Sequence, residues 1–217
     1  QVAHIKTDSI KIPTHDESVV KLVSDIGAKY GYTFEYEANY DRMLLINKAV
    51  YIAKYDDKGL RSKGGKKANT WTATGDQFAK PYVFKTLFSK EPIVFEDLCV
   101  FKSVTTALYL DLNAEYDGEP SLKFVGKTGL FCPVLSGSGG GALLREKEGK
   151  YHAANDSTGY LWQEAEVIRN LGLEHTIDRS YFDKQVDSAR DEIGKYCDVE
   201  RFLSDEPMMT ITNTQIV

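Results

Sequence analysis

Val2-Ala3-His4-Ile5-Lys6-Thr7-Asp8-Ser9-Ile10-Lys11-Ile12-Pro13 decides how the rest of the chain is read. Val2 to Ile5 and Ile10 to Ile12 are strand-forming runs around the tight polar turn Lys6-Thr7-Asp8-Ser9. Pro13, with no backbone N–H to give to a ladder, ends the pair. The stretch reads as β-turn-β. Thr14-His15-Asp16-Glu17 follows with capping-box spacing, and Val19, Leu22, Val23, Ile26 and Tyr30 recur at helical intervals up to Gly31, which predicts a helix. Beyond it, Tyr32 to Ala38 alternates aromatic and polar residues. Met43-Leu44-Leu45-Ile46 and Val50-Tyr51-Ile52-Ala53 are β-rich runs ahead of a turn at Asp56-Asp57-Lys58-Gly59. An antiparallel sheet carrying one helix is therefore expected over residues 1–57.

Working outward, residues 58–117 hold a loop with five cations and no acid (Lys58, Arg61, Lys63, Lys66, Lys67). A strand over Thr70–Gly75, an apolar connector Pro81–Phe88 and a long helix over Phe95–Leu112 come next, the helix with Leu98, Phe101, Val104, Leu108 and Leu112 on one face. Residues 118–162 read as a small β-rich unit, with strands near 122–125, 130–134, 142–145 and 151–154 between glycine-rich turns. Residues 163–217 read as two helices, at about 163–171 and 180–196, and a Thr-rich tail that frays unless something pairs with it. The fold class is α+β.

A chain of 217 residues is long enough to build its core without disulfide staples, and its 42% hydrophobic and 27% charged residues exclude disordered and fibrous classes. No apolar run reaches the roughly 18 residues of a membrane helix and no secretory leader is visible, so the expected setting is cytoplasmic, with no membrane partner. Cys99, Cys132 and Cys197 lie more than thirty residues apart with no metal-type pairing, which fits reduced thiols. Net charge is −5, so any nucleic-acid binding rests on a local basic face. Gln1 is not an initiator, and the residues after it already read as the inside of a strand; an excerpt of a longer chain is expected.

A carboxylate at the apex of a β-turn-β hairpin is held on rigid strands yet exposed, as a hard-cation ligand must be, although turns also favour Asp for its own backbone hydrogen bonds. Gly137 to Gly141 offers bare amides of the kind that cradle phosphate, or a flexible hairpin. Asp111 and Glu115, i and i+4 on the expected helix, read as a metal pair or as a solvated acidic face. Trp71 and Trp162, with Tyr51 and Tyr55, are candidates for base stacking or for core packing.

His4-Ile5-Lys6-Thr7-Asp8-Ser9 resembles the third palm motif of family B DNA polymerases, Y-x-D-T-D-S. Thr7, Asp8 and Ser9 match its T-D-S, Lys6 stands where the first Asp is expected, and His4 stands for the Tyr. Tyr36-Glu37-Ala38-Asn39-Tyr40-Asp41-Arg42 is similar to the family's L-E-x-E-x-x-Y segment. Lys48 and Tyr51 match the K-K-x-Y strand that grips the primer, where Ala49 and Val50 depart from it. Trp71-Thr72-Ala73-Thr74-Gly75 through Pro81-Tyr82-Val83-Phe84-Lys85 and the 129–134 run look like the palm-to-thumb crossing of polymerases from tailed phages, which would place the chain in a host cytoplasm.

The resemblance implies a C-terminal palm sheet with a packed helix, then a mixed helical thumb with a small β insertion. It implies Asp8 as the catalytic, magnesium-binding carboxylate of a two-metal site completed by an upstream palm motif. It also implies a primer–template DNA surface made of Thr7, Ser9, Lys48, Tyr51, Lys54, Lys58, Arg61, Lys63, Lys66 and Lys67. Partners would be the duplex, a deoxynucleoside triphosphate and the upstream palm and exonuclease portion, without which this chain is not an active nucleotidyltransferase. The alternative reading, which Lys6 favours, is a non-catalytic DNA-binding or replisome-interaction module with the same fold.

Overall fold

In the computed structural model, the residues described are 4–6, 9–14, 16–60, 64–206 and 211–216, with backbone alone for 4, 6 and 211–216. The chain is α+β, as its sequence indicates, and divides into two compact units: residues 1–91 with 186–217, and residues 92–185.

The first unit is built on a six-stranded antiparallel sheet. Its strands are β1 (His4–Lys6), β2 (Ser9–Ile12), β3 (Phe34–Leu45), β4 (Tyr51–Leu60), β5 (Trp71–Ala73) and β11 (Ile211–Ile216), in the order β1-β2-β11-β3-β4-β5. β1 and β2 pair as His4 with Lys11, Ile5 with Ile10 and Lys6 with Ser9. The C-terminal strand β11 lies between β2 and β3, so the tail finds its pairing partners inside the sheet.

Helix α1 (Glu17–Lys29) follows β2 as expected, but its cap is Asp16, whose carboxylate accepts from the Ser18 N–H at 2.8 Å. Thr14, the expected cap, accepts instead from the Asp16 N–H. Asp16 wins because it already sits in extended backbone one residue before the first turn. α1 approaches β3 at Gly27, where a Cβ would stand 2.5 Å from the Phe34 ring, so only glycine fits.

β3 and β4 pair with Met43 opposite Ala53 and Leu45 opposite Tyr51. With a register shift between Tyr40 and Arg42, Tyr40, Ala53 and Tyr55 form one cluster with Met43 and Tyr51, and Arg42, Lys54 and Trp71 lie in a row on the other face. The turn expected at 56–59 is a continuation of β4, bent where the Asp56 carboxylate accepts from the Lys58 and Gly59 N–H groups. The expected apolar connector is helical: α2 (Asp76–Ala79), then α3 (Pro81–Phe84) running into a π-helical turn at Lys85–Ser89 that buries Leu87 and Phe88.

The second unit is a five-stranded antiparallel sheet of β6 (Val100–Asp111), β7 (Leu122–Val134), β8 (Ala142–Lys147), β9 (Lys150–Ala153) and β10 (Leu161–Glu164), in the order β10-β7-β6-β8-β9. The long helix expected over Phe95–Leu112 is corrected here. Phe95–Leu98 makes one 3₁₀ turn, and Val100–Asp111 is a strand that buries Leu108 and Leu110 at a spacing of two. Val100, Phe101, Val104, Thr105 and Thr106 are β-branched or aromatic, and pairing with β7 and β8 outweighs the accidental helical spacing of the leucines. The strands near 122–125 and 130–134 are one strand, β7.

Helix α4 (Ala165–Leu171) packs Ile168 into a core with Leu108, Leu110, Phe131, Leu143 and Trp162. The division between units falls inside α5 (Ser180–Gly194). Val186, Ala189 and Ile193 are buried in the first unit, which also holds α6 (Val199–Leu203), capped by Asp198.

Candidate nucleic-acid interface

Thr7 and Asp8 join the last paired residues of the opening hairpin, Lys6 and Ser9, and lie outside the described residues, as do Arg61 and Lys63. Ser9 is buried, and the Lys11 ammonium reaches its hydroxyl at 3.5 Å while standing 5.2 Å above the Tyr51 ring. A lysine between two isoleucines in a strand is the signal that marks Lys11; reading the run only as alternation overlooks it. Tyr51, Tyr55 and Tyr40 share that face, with the Tyr40 and Tyr55 rings 5.0 Å apart. Burial raises the pKa of all three phenols, and the charge of Glu37 adds to the effect, so they stay neutral across the physiological range.

Lys48 occupies the β3–β4 turn and is exposed. The Asn47 carboxamide accepts from the Ala49 and Val50 N–H groups and folds the turn tightly around it. Lys58, Lys66 and Lys67 are exposed at the far end of β4, where the chain is tied back by Leu60 N–H to the Lys66 carbonyl and Asn69 N–H to the Asp56 carbonyl. Gly59, at φ +60°, lets the returning strand pass: a Cβ there would meet the Ala68 nitrogen at 2.5 Å. Exposed lysines therefore stand at the β3–β4 turn (Lys48), near the end of β4 (Lys58) and on the chain returning to β5 (Lys66, Lys67).

Lys54 stands apart from them. It is buried, its ammonium 2.9 Å from the Asp205 carboxylate, which is itself 98% exposed, and 5.9 Å from the centre of the Trp71 ring. The hydrogen bond from Lys54, with its charge, holds the Asp205 carboxyl below the ordinary carboxylate range. Beside it, Arg42 is fully buried. Its guanidinium donates to the carbonyls of Phe202 at 2.9 Å, Ser204 at 2.5 Å and Glu206, and pairs with Asp41 at 2.7 Å. Arg42 thus clamps the chain that leads into β11. Its signal, an Asp-Arg pair directly ahead of the apolar run Met43-Leu44-Leu45, is in the sequence, but only the fold reveals its carbonyl partners. Trp71 packs on Phe88 and Phe202 beside a cleft of about 590 Å³ that Lys54, Asn69, Phe84, Ser89 and Lys90 also line.

In the second unit the glycine loop is engaged by the chain itself. The Gly137 N–H and the Ser136 hydroxyl donate to the Glu115 carboxylate, so an internal anion takes the amide that a phosphate would need. Asp111 ends a strand and accepts from Asn113 and Ser121 N–H groups, which removes the helical pairing expected for Asp111 and Glu115. Trp162 is a core residue, its indole N–H donating to the Ser157 carbonyl at 3.0 Å. Among the described residues, no group of three or more His, Cys, Asp or Glu converges to hold a metal. No helix among the described residues is long and apolar enough to cross a membrane.

Comparison with protein-family models, with curated proteins and with solved structures finds no match to this chain.

Proposed function

We propose that the chain is the C-terminal palm and thumb portion of a family B-like DNA polymerase. In this reading it holds primer–template duplex by its phosphates, beside a bound deoxynucleoside triphosphate, and Asp8 binds a magnesium ion together with carboxylates of an upstream portion. The observation that carries this reading is the order of elements around the T-D-S residues: a hairpin whose last pair is Lys6 with Ser9, then α1, then the β3–β4 hairpin with Lys48 at its turn. Lys48, Lys58, Lys66 and Lys67 supply exposed cations at the two ends of the hairpin, as backbone recognition requires. Leu22 and Ile26 of α1, with Tyr30 at its C-terminal cap, are exposed apolar side chains, which suits a helix covered by an upstream portion. Lys54, already bound to Asp205, is left out of the phosphate-gripping set.

Lys6 in place of the first motif aspartate favours the second reading, a DNA-binding module without catalysis. The test joins or mixes the chain with the upstream palm. Asp8→Ala is expected to abolish nucleotide addition and leave duplex affinity unchanged; if it alters neither, the catalytic reading fails and the binding module stands.

A further inference from the structure

Cys99 and Cys132 meet in the second unit although thirty-three residues separate them. Cys99 follows the Phe95–Leu98 turn in extended backbone, one residue before Val100, which pairs with Phe131. Continuing that antiparallel register by one residue sets Cys99 opposite Cys132, and the two Sγ atoms are 3.6 Å apart. Directly opposed residues of an antiparallel pair have Cα atoms about 4.5–5.5 Å apart, inside the window of about 4.4–6.8 Å that a disulfide spans. Closing the bond to about 2.05 Å needs only side-chain adjustment.

The two thiols differ in access. Cys132 is fully buried, paired on its other side with Gln163 of β10. Cys99 is half-buried and lines an open cleft of about 660 Å³ with Thr128, Leu130, Glu166 and Arg169. The Arg169 guanidinium lies 4.6 Å from the Phe95 ring and pairs with Glu96 at the same cleft. A hydrogen bond from the Cys132 thiol, aided by the Arg169 charge and opposed by burial, lowers the Cys99 pKa. The same hydrogen bond, with burial, pushes Cys132 up. Cys197 has the opposite surroundings, since burial and the neighbouring Asp198 raise its pKa.

We propose that Cys99 and Cys132 form a thiol–disulfide exchange site that accepts low-molecular-weight organic disulfides, with Cys99 the attacking sulfur and Cys132 the resolving one. The Cys99 thiolate attacks one sulfur of R–S–S–R, forming Cys99–S–S–R and releasing R–S⁻, which takes up the proton that Cys99 lost. Cys132 then gives up its proton and attacks the Cys99 sulfur. The Cys99–SR bond breaks, the Cys99–Cys132 bond forms and a second R–SH leaves. Two protein thiols are oxidised and one external disulfide is reduced to two thiols, with no other reactant.

The experiment treats the reduced full chain with hydroxyethyl disulfide, blocks remaining thiols with an alkylating agent and maps the peptides by mass spectrometry over time. Wild type is expected to lose two hydrogens as a Cys99–Cys132 linkage while Cys197 stays alkylatable, with Cys99 reacting about tenfold or more faster than Cys197 near neutral pH. Cys132→Ser is expected to trap the mixed disulfide on Cys99, and Cys99→Ser to leave Cys132 unmodified. The wild-type map needs no variant and stands alone should either substitution unfold the chain. Equal reactivity of Cys99 and Cys197, or adducts on Cys99 that never resolve to Cys132 in wild type, would overturn the proposal.

Discussion

Within the β3–β4 hairpin, the strand interior and the two ends hold the same kind of residue in opposite conditions. Arg42 and Lys54, in register across the pair, are buried with fixed partners, whereas Lys48, Lys58, Lys66 and Lys67 stand exposed toward the ends. Charge alone does not tell the two sets apart. What does is placement: Arg42 and Lys54 lie on the face that meets the returning chain at 202–206, whereas the other four lie at the ends of the pair. The interior cations organise the fold and the terminal ones are exposed.

The interior pair itself splits. Arg42 is fully buried and donates to backbone carbonyls and to the partly buried Asp41 carboxylate, while Lys54 meets a carboxylate already in water. Arg42→Ala should therefore cost the most, about 3–5 kcal/mol by denaturant unfolding, because Asp41 and several carbonyls lose their partner together. Amide exchange across 211–216 should rise in the same variant, since Arg42 anchors the chain entering β11. A loss below about 1 kcal/mol would show that the clamp is dispensable.

Lys54→Met should stay within about 1 kcal/mol of wild type. It keeps the buried stem against Trp71 and removes a charge whose partner is fully solvated. Were it as damaging as Arg42→Ala, the distinction between the two interior cations would fail.

Asp205→Asn isolates the same pair by pH. The folded carboxyl has a depressed pKa, so its contribution is present above the unfolded value of about 3.9 and is lost as pH falls through the lower folded value. The stability difference between wild type and Asp205→Asn should be visible near pH 6 and close below about pH 4. A difference that grows on acidification contradicts the pairing.

At the hairpin ends, Lys48→Ala, Lys58→Ala, Lys66→Ala and Lys67→Ala should each change stability by no more than about 0.5 kcal/mol, since none has a buried partner to abandon.

How legible this arrangement was follows from where local signals and long-range pairing agree. Pro13, the helical spacing after it and the runs 43–46 and 50–53 give the opening hairpin, α1 and β3–β4, because each is fixed by neighbours in sequence. Leu98, Phe101, Val104, Leu108 and Leu112 mimic a helix face, and only the partners β7 and β8 decide for a strand. The tail 211–216 carries no apolar alternation of its own, and its place between β2 and β3 depends on strands about 170 to 206 residues away. Lys48 was readable as an exposed residue because Asn47 marks a turn there. Lys54 was not readable as an interior one, because Asp205 is brought to it only by the Arg42 clamp.

The claim that the hairpin ends form a duplex-binding surface is met most directly by fluorescence anisotropy of labelled primer–template between 50 and 200 mM salt. The account predicts a log–log slope of about −4 for wild type, close to −0.9 for each of four lysines, falling toward zero when Lys48, Lys58, Lys66 and Lys67 are all alanine. An unchanged slope in that variant, or no salt-dependent association in wild type, would contradict it.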